Sequence, residues 1–157
     1  MLKKQTMSKK QKTIKNEITL SGVGIHTGKK VTMTFKPAPA NHGFAFKRVD
    51  LDGEPIIKAK ASFVTNTQRG TNMESNGVQI QTSEHVLAAA VGLDIDNLLI
   101  EMDAAEPPIM DGSSKFFIEA LEKAEVVELE EEAYEYVVKE IISVSYTHLT
   151  LPTTSRV

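Results

Sequence analysis

Thr82-Ser83-Glu84-His85 sets a carboxylate beside an imidazole where a helix should begin, a pairing suited to acid–base or metal chemistry. Thr82 or Ser83 supplies an N-cap, and Val86, Leu87, Ala89, Ala90 and Leu93 follow at the spacing of one apolar helix face, with Gly92 as the stop. A helix N-terminus favours a carboxylate and disfavours an imidazolium. His85 would then be neutral, as a metal ligand must be, and Glu84 ionised, as a general base must be. Neighbouring helical residues diverge by roughly a quarter turn at about 3.6 residues per turn. One of the pair can therefore hold a metal while the other addresses its water. Glu-His is also a common dipeptide, and a dipole-matched acid beside a surface histidine would be spelled the same way.

Two other strings hold residues of interest. Gly22-Val-Gly-Ile-His-Thr-Gly28 has the look of a phosphate loop, but its third spacing fails the dinucleotide fingerprint. It fails the mononucleotide pattern as well, since Val23 stands where the first glycine belongs and Lys30 where Ser or Thr belongs. A structural glycine turn is the reading, with His26 as the residue that can face a ligand. In Pro107-Pro-Ile-Met-Asp-Gly-Ser113 each residue has an architectural job: the prolines limit a strand, Asp111-Gly112 turns the chain, and Ser113 or Ser114 caps the next helix.

The elements that must position these strings follow from hydrophobic periodicity. Lys12 to Leu20 alternates loosely into the Gly-rich turn Ser21 to Gly28, and Val31 to Phe35 alternates with period two, so two strands joined by a glycine loop are expected. Phe44 to Phe46 and Ile56 to Ala61 continue the pattern between breaks at Pro37 to Gly43 and Asp50 to Pro55, which reads as an antiparallel meander. Val78 to Ile80 is a short strand and Leu98 to Ile100 a buried one. A second helix should turn Phe116, Phe117, Ala120, Leu121 and Ala124 inward, and Tyr134 to Ile142 offers a last strand. Strands punctuated by two helices predict an α+β two-layer sandwich, mainly antiparallel, with both helices on one sheet face.

Composition bounds the rest. The chain has 157 residues, 41% hydrophobic and 25% charged, as expected for one globular core. The net charge of -3 gives no global reason to expect nucleic acid, although Lys3, Lys4, Lys9, Lys10, Lys12 and Lys15 crowd a start read as a flexible segment over residues 1–11. With no cysteine, disulfides and thiolate chemistry are excluded, and any metal must use His, Asp or Glu. The apolar run Val86 to Leu93 is far shorter than the roughly 18 residues of a membrane span, and no apolar stretch follows the lysines as in an export signal. A cytoplasmic location without a membrane span is the default expectation.

Residues 143–157 break with the acidic stretch before them: Ser143-Val-Ser-Tyr-Thr-His-Leu-Thr-Leu-Pro-Thr153 carries no charge and no periodicity. The transposon adapter used in shotgun libraries translates in one frame to this string, and its continuation accounts for Val157. Residues 143–157 are therefore expected to be adapter read-through rather than native protein, which removes His148 from the candidate ligands and leaves His26, His42 and His85. Met7 is an alternative start.

Taken together, Ser21-Gly-Val-Gly-Ile-His-Thr-Gly28, Thr82-Ser-Glu-His-Val-Leu-Ala-Ala88 and Pro108-Ile-Met-Asp-Gly-Ser113 resemble the first domain of the zinc-dependent UDP-3-O-acyl-N-acetylglucosamine deacetylases. Lys36-Pro-Ala-Pro39, Arg48-Val-Asp50 and Gly92-Leu-Asp-Ile-Asp-Asn97 support the resemblance, which runs over residues 12–142. It implies the first of two similar βααβ domains that pack face to face with the active site between them, the second domain being absent here. It also implies that His85 is a zinc (Zn2+) ligand and Glu84 the catalytic acid or base, with the other zinc ligands and a further catalytic histidine in the second domain. His26 is similar to a histidine near the family's active site and is carried as a substrate-binding residue.

The implied reaction is hydrolysis of the 2-acetamido group of UDP-3-O-acyl-N-acetylglucosamine in lipid A synthesis, with zinc polarising the amide and Glu84 taking a proton from the attacking water. This segment alone would be inactive. Some relatives are fused to a dehydratase, which these residues do not address. The competing reading is a noncatalytic α+β binding module that contacts RNA through the lysine-rich start. The acidic balance and the lack of aromatics among the lysines count against it.

Overall fold

A computed structural model describes residues 9–134 and 140 of the chain. The central sheet has five strands. β2 (Ile18–Val23) and β3 (Lys30–Pro37) form the expected hairpin around the glycine loop, and β4 (Phe44–Arg48) pairs with β5 (Ile56–Lys58). The expectation of a simple meander is overturned, because β9 (Leu98–Met102) lies between β3 and β4, antiparallel to the first and parallel to the second. The reason is burial. Leu98, Ile100 and Met102 are completely buried, which a central strand provides and a meander that leaves them outside does not.

Register explains the two faces. Ile18, Phe35, Ile100, Phe46 and Ile57 line up across the sheet as one apolar row, all but Ile18 buried. One residue along, Thr19, Thr34, Glu101 and Lys47 form a polar row on the opposite face. There Lys36 and Glu101 pair at 2.8 Å, and Lys47 meets Glu54 at 2.5 Å and Glu101 at 3.5 Å. The helices α1 (Glu84–Gly92) and α2 (Lys115–Lys123) cover the apolar face. Phe117 of α2 meets Phe35 of β3 edge-to-face, with centroids 6.4 Å apart and planes at 89°. Val86, Ala89 and Ala90 of α1 join the same core. The architecture is the α+β fold expected, with both helices over one sheet.

Two smaller sheets complete it. β6 (Val64–Asn66), β7 (Asn72–Ser75) and β8 (Val78–Ile80) form a three-stranded sheet, of which only β8 is legible in the sequence. Arg48, nearly buried, holds Asp50 through two bonds of 2.7 Å and donates to the Gln79 carbonyl at 3.0 Å, which ties β4 to β8. β1 (Lys10–Ile14) pairs antiparallel with β10 (Val126–Glu132). Lys10 and Gln11 therefore belong to a strand rather than a loose start. Lys9 pairs with Asp94 at 2.7 Å, Lys15 with Glu125 at 2.7 Å, and Lys10 donates to the Glu130 carbonyl.

Two local expectations need correction. Phe116 is 38% exposed while Phe117 is 1% exposed, because α2 turns only one of two adjacent residues inward. Gly92 ends up inside α1; the chain leaves the helix through Leu93 and Asp94, the latter at φ 58°. The last described strand is β10, and the strand expected over Tyr134 to Ile142 falls almost wholly outside the described residues, as do residues 143–157. Among the described residues no helix is long and apolar enough to cross a membrane.

Candidate active site

The three motif strings, far apart in sequence, meet around one buried side chain that sequence reasoning missed. Glu106 lies just before the Pro107-Pro108 pair and is 1% exposed. Its carboxylate accepts the backbone N–H groups of His26 (3.1 and 3.2 Å) and Thr27 (2.9 Å) and the hydroxyls of Thr27 (3.0 Å) and Thr82 (3.0 Å). The glycine loop is thus an anion-binding concavity, filled by the protein's own carboxylate instead of a phosphate. Burial opposes ionisation of Glu106, but the N–H groups of Thr27 and His26 and the hydroxyls of Thr82 and Thr27 outweigh it and hold the carboxyl below the usual glutamate range.

The glycines are explained by close approach. A Cβ on Gly24 would run into the Glu106 carboxylate and the Thr27 hydroxyl. A Cβ on Gly22 would stand 2.8 Å from Pro108 Cβ, where the Ile109 N–H reaches the Val23 carbonyl at 2.9 Å. The Pro-Pro segment therefore lies directly along the end of β2. Beyond it, Asp111 accepts the Ser113 hydroxyl (2.8 Å) and N–H (3.0 Å), which keeps its carboxyl below the usual range.

The start of α1 is built by the same network. Ser83 occupies the cap position and Thr82 precedes it at φ 51°, yet neither hydroxyl caps the helix as expected. Thr82 is drawn to Glu106, and Ser83 donates to the Thr71 carbonyl at 3.0 Å. At the next helix Ser114 is likewise diverted and donates to the His85 carbonyl at 3.0 Å. Glu84 is positioned by the Thr71 N–H, which donates to its Oε2 at 2.8 Å. Its Oε1 lies 4.0 Å from His85 Nε2, and the two side chains are 37% and 32% exposed. That separation is too long for a hydrogen bond and short enough for both groups to address a third species between them.

His26 joins the site from the glycine loop. Its Nε2 lies 3.0 Å from the Arg69 carbonyl, and its ring borders an open polar hollow with Gln68, Arg69, Asn72 and Gln81. Gly70 lies close against the turn before the helix: a Cβ there would stand 3.2 Å from Thr82 Oγ1 and 3.3 Å from Thr82 Cα. His42 bonds the neighbouring Gly43 carbonyl at 2.9 Å instead.

The donor types suit a metal ion, an imidazole and a carboxylate on adjacent residues and partly open to solvent. Among the described residues, however, no three His, Cys, Asp or Glu side chains converge to hold one. A catalytic metal of the zinc type takes three protein ligands. The residues present fit one corner of such a site.

Comparison with known proteins adds an independent line. The family model for UDP-3-O-acyl N-acetylglycosamine deacetylase matches residues 11–153. A bifunctional enzyme LpxC/FabZ of Bacteroides thetaiotaomicron is 49% identical over 114 residues, covering 73% of this chain and 25% of that protein. A UDP-3-O-acyl-N-acetylglucosamine deacetylase of Stenotrophomonas maltophilia is 48% identical over 118 residues, covering 75% of this chain and 39% of the relative. The bifunctional enzyme LpxC/FabZ of Chlorobaculum tepidum is 47% identical over 132 residues, 84% of this chain and 28% of its own length. The chain thus spans between a quarter and two fifths of the curated relatives it matches.

Proposed function

The chain belongs to the UDP-3-O-acyl-N-acetylglucosamine deacetylase family, and from that premise we propose that it carries the first of two domains of a zinc-dependent enzyme. That enzyme removes the N-acetyl group of UDP-3-O-acyl-N-acetylglucosamine in lipid A synthesis. The observation that supports this best is that Glu106 joins the glycine loop to the turn before α1, beside the helix start that bears Glu84 and His85.

His85 is the zinc ligand from this domain, and the remaining ligands come from the second domain. A zinc ion supplies Lewis acidity, polarising the amide carbonyl and making water easier to deprotonate. Glu84 acts as general base. The Thr71 N–H fixes one of its oxygens and leaves Oε1 on the side of His85, so the proton of the attacking water passes to a carboxylate whose direction is already set. As the amide bond breaks, the same carboxylic acid can return that proton to the departing amine, which leaves acetate and a free amine. His26, at the rim of the polar hollow, is the substrate-binding residue of this reading.

Zinc content and turnover measured side by side test these roles in the complete two-domain enzyme. Glu84→Ala should keep zinc and lose about 10²–10⁴ in turnover, the usual worth of a general base. His85→Ala should lose the metal. Equal loss of zinc in both variants would contradict the roles. Residues 9–134 alone should bind zinc weakly and show negligible deacetylation, because the described residues provide no cluster of three ligands.

A further inference from the structure

Seven residues from four segments close into one ring. Glu106 holds the His26 and Thr27 N–H groups; the His26 ring reaches the Arg69 carbonyl; two residues on, the Thr71 N–H holds Glu84; and Thr82, two residues before Glu84, returns to Glu106. The carboxylate has 1% exposure, and among the described residues no buried side-chain nitrogen or oxygen lacks a partner. Removing one acceptor therefore leaves donors facing each other with no water to replace it.

We propose that Glu106 is a positioning residue for the deacetylation: its buried carboxylate locks the glycine loop to the turn before α1, and so holds His26 against the 69–71 segment and Glu84 beside His85. This rests on the function proposed above. Two features set the role apart from general stabilisation. The hydrogen bonds of the carboxylate go to the glycine loop and to the turn before α1 rather than to any strand of the central sheet. Thr82, which it grips, sits at φ 51°, a conformation that a non-glycine residue holds only when its surroundings impose it. Released from Glu106, Thr82 can relax toward ordinary backbone angles and carry the base with it.

Two sets of variants in the complete enzyme test this. Glu106→Gln keeps the shape but sets an amide N–H₂ against the loop donors. Thr82→Ala removes only the link to the helix turn, and Thr82→Ser restores it. Expected are zinc content near that of the parent, kcat lowered about 10- to 100-fold in Glu106→Gln and Thr82→Ala with KM changed far less, and recovery in Thr82→Ser. Amide exchange at Thr71 and His26 should quicken in the two impaired variants and not in Thr82→Ser.

Unchanged kcat with only a lowered melting temperature would overturn the proposal and assign Glu106 to stability. Should Glu106→Gln fail to fold, the Thr82 pair decides by itself. A parent enzyme that does not deacetylate would sink the proposed function instead. Amide exchange would then still judge the ring, since unaltered protection in Thr82→Ala would show that it does not hold.

Discussion

Glu106 shows what a single residue can hide. Its neighbours in sequence are prolines and alanines, nothing nearby suggests chemistry, and its four donor groups come from residues 24 to 80 positions away. Glu84 and His85 were legible because a dipole argument links adjacent residues to a helix start, and the structure places them there. The capping expectation for Thr82 failed because a buried carboxylate competes for the same hydroxyl. The charge of Glu106 has a consequence for acid stability. Its folded pKa lies below the ordinary 4.5, so its contribution is fully present above that value and is lost as pH falls through the folded value. Asp50, held down first by its Arg48 hydrogen bond, adds to the same trend. In Glu106→Gln the fall of melting temperature on the acid side should be shallower than in the parent. Parallel acid limbs in the two proteins would mean that Glu106 is not held ionised.

Elements were legible where their periodicity is local. Both helices and the β2–β3 hairpin stand where alternation and apolar spacing put them. The order of strands was not, since nothing local distinguishes a neighbour in sequence from one brought across by a crossover. β6, β7 and β10 were missed because their sequences are polar or acidic and lack the alternation of a half-buried strand. α2 offers a test of how finely a helix face is set. Phe117→Ala removes a ring set edge-to-face against Phe35 and should cost about 3–5 kcal/mol, whereas Phe116→Ala should stay near 0.5 kcal/mol. Denaturant midpoints measure both. Similar losses would show that Phe116 is packed as deeply as its neighbour.

At the scale of the whole molecule, one buried polar junction fastens the β1–β10 pair to the main sheet. Asn97, 1% exposed, accepts the Gly43 N–H at 2.9 Å and donates to Gln11 of β1 at 2.9 Å. Gln11 in turn holds Asn41 through two bonds of 2.9 Å. Asn97→Ala takes the acceptor from the half-buried Gly43 N–H and one donor from buried Gln11, and should cost about 1–3 kcal/mol in equilibrium unfolding. A neutral result would mean that water reaches the junction. The antiparallel pairing of β1 with β10 also sets how the domain answers to force. Lys10 faces Glu132 at one end of the ladder and Ile14 faces Val126 at the other, so a pull applied through residues 10 and 132 loads the bonds one after another, like a zip. A single-molecule trace stretched between those points should show this pair peeling at low tension, ahead of a sharper rupture as the five-stranded sheet gives way.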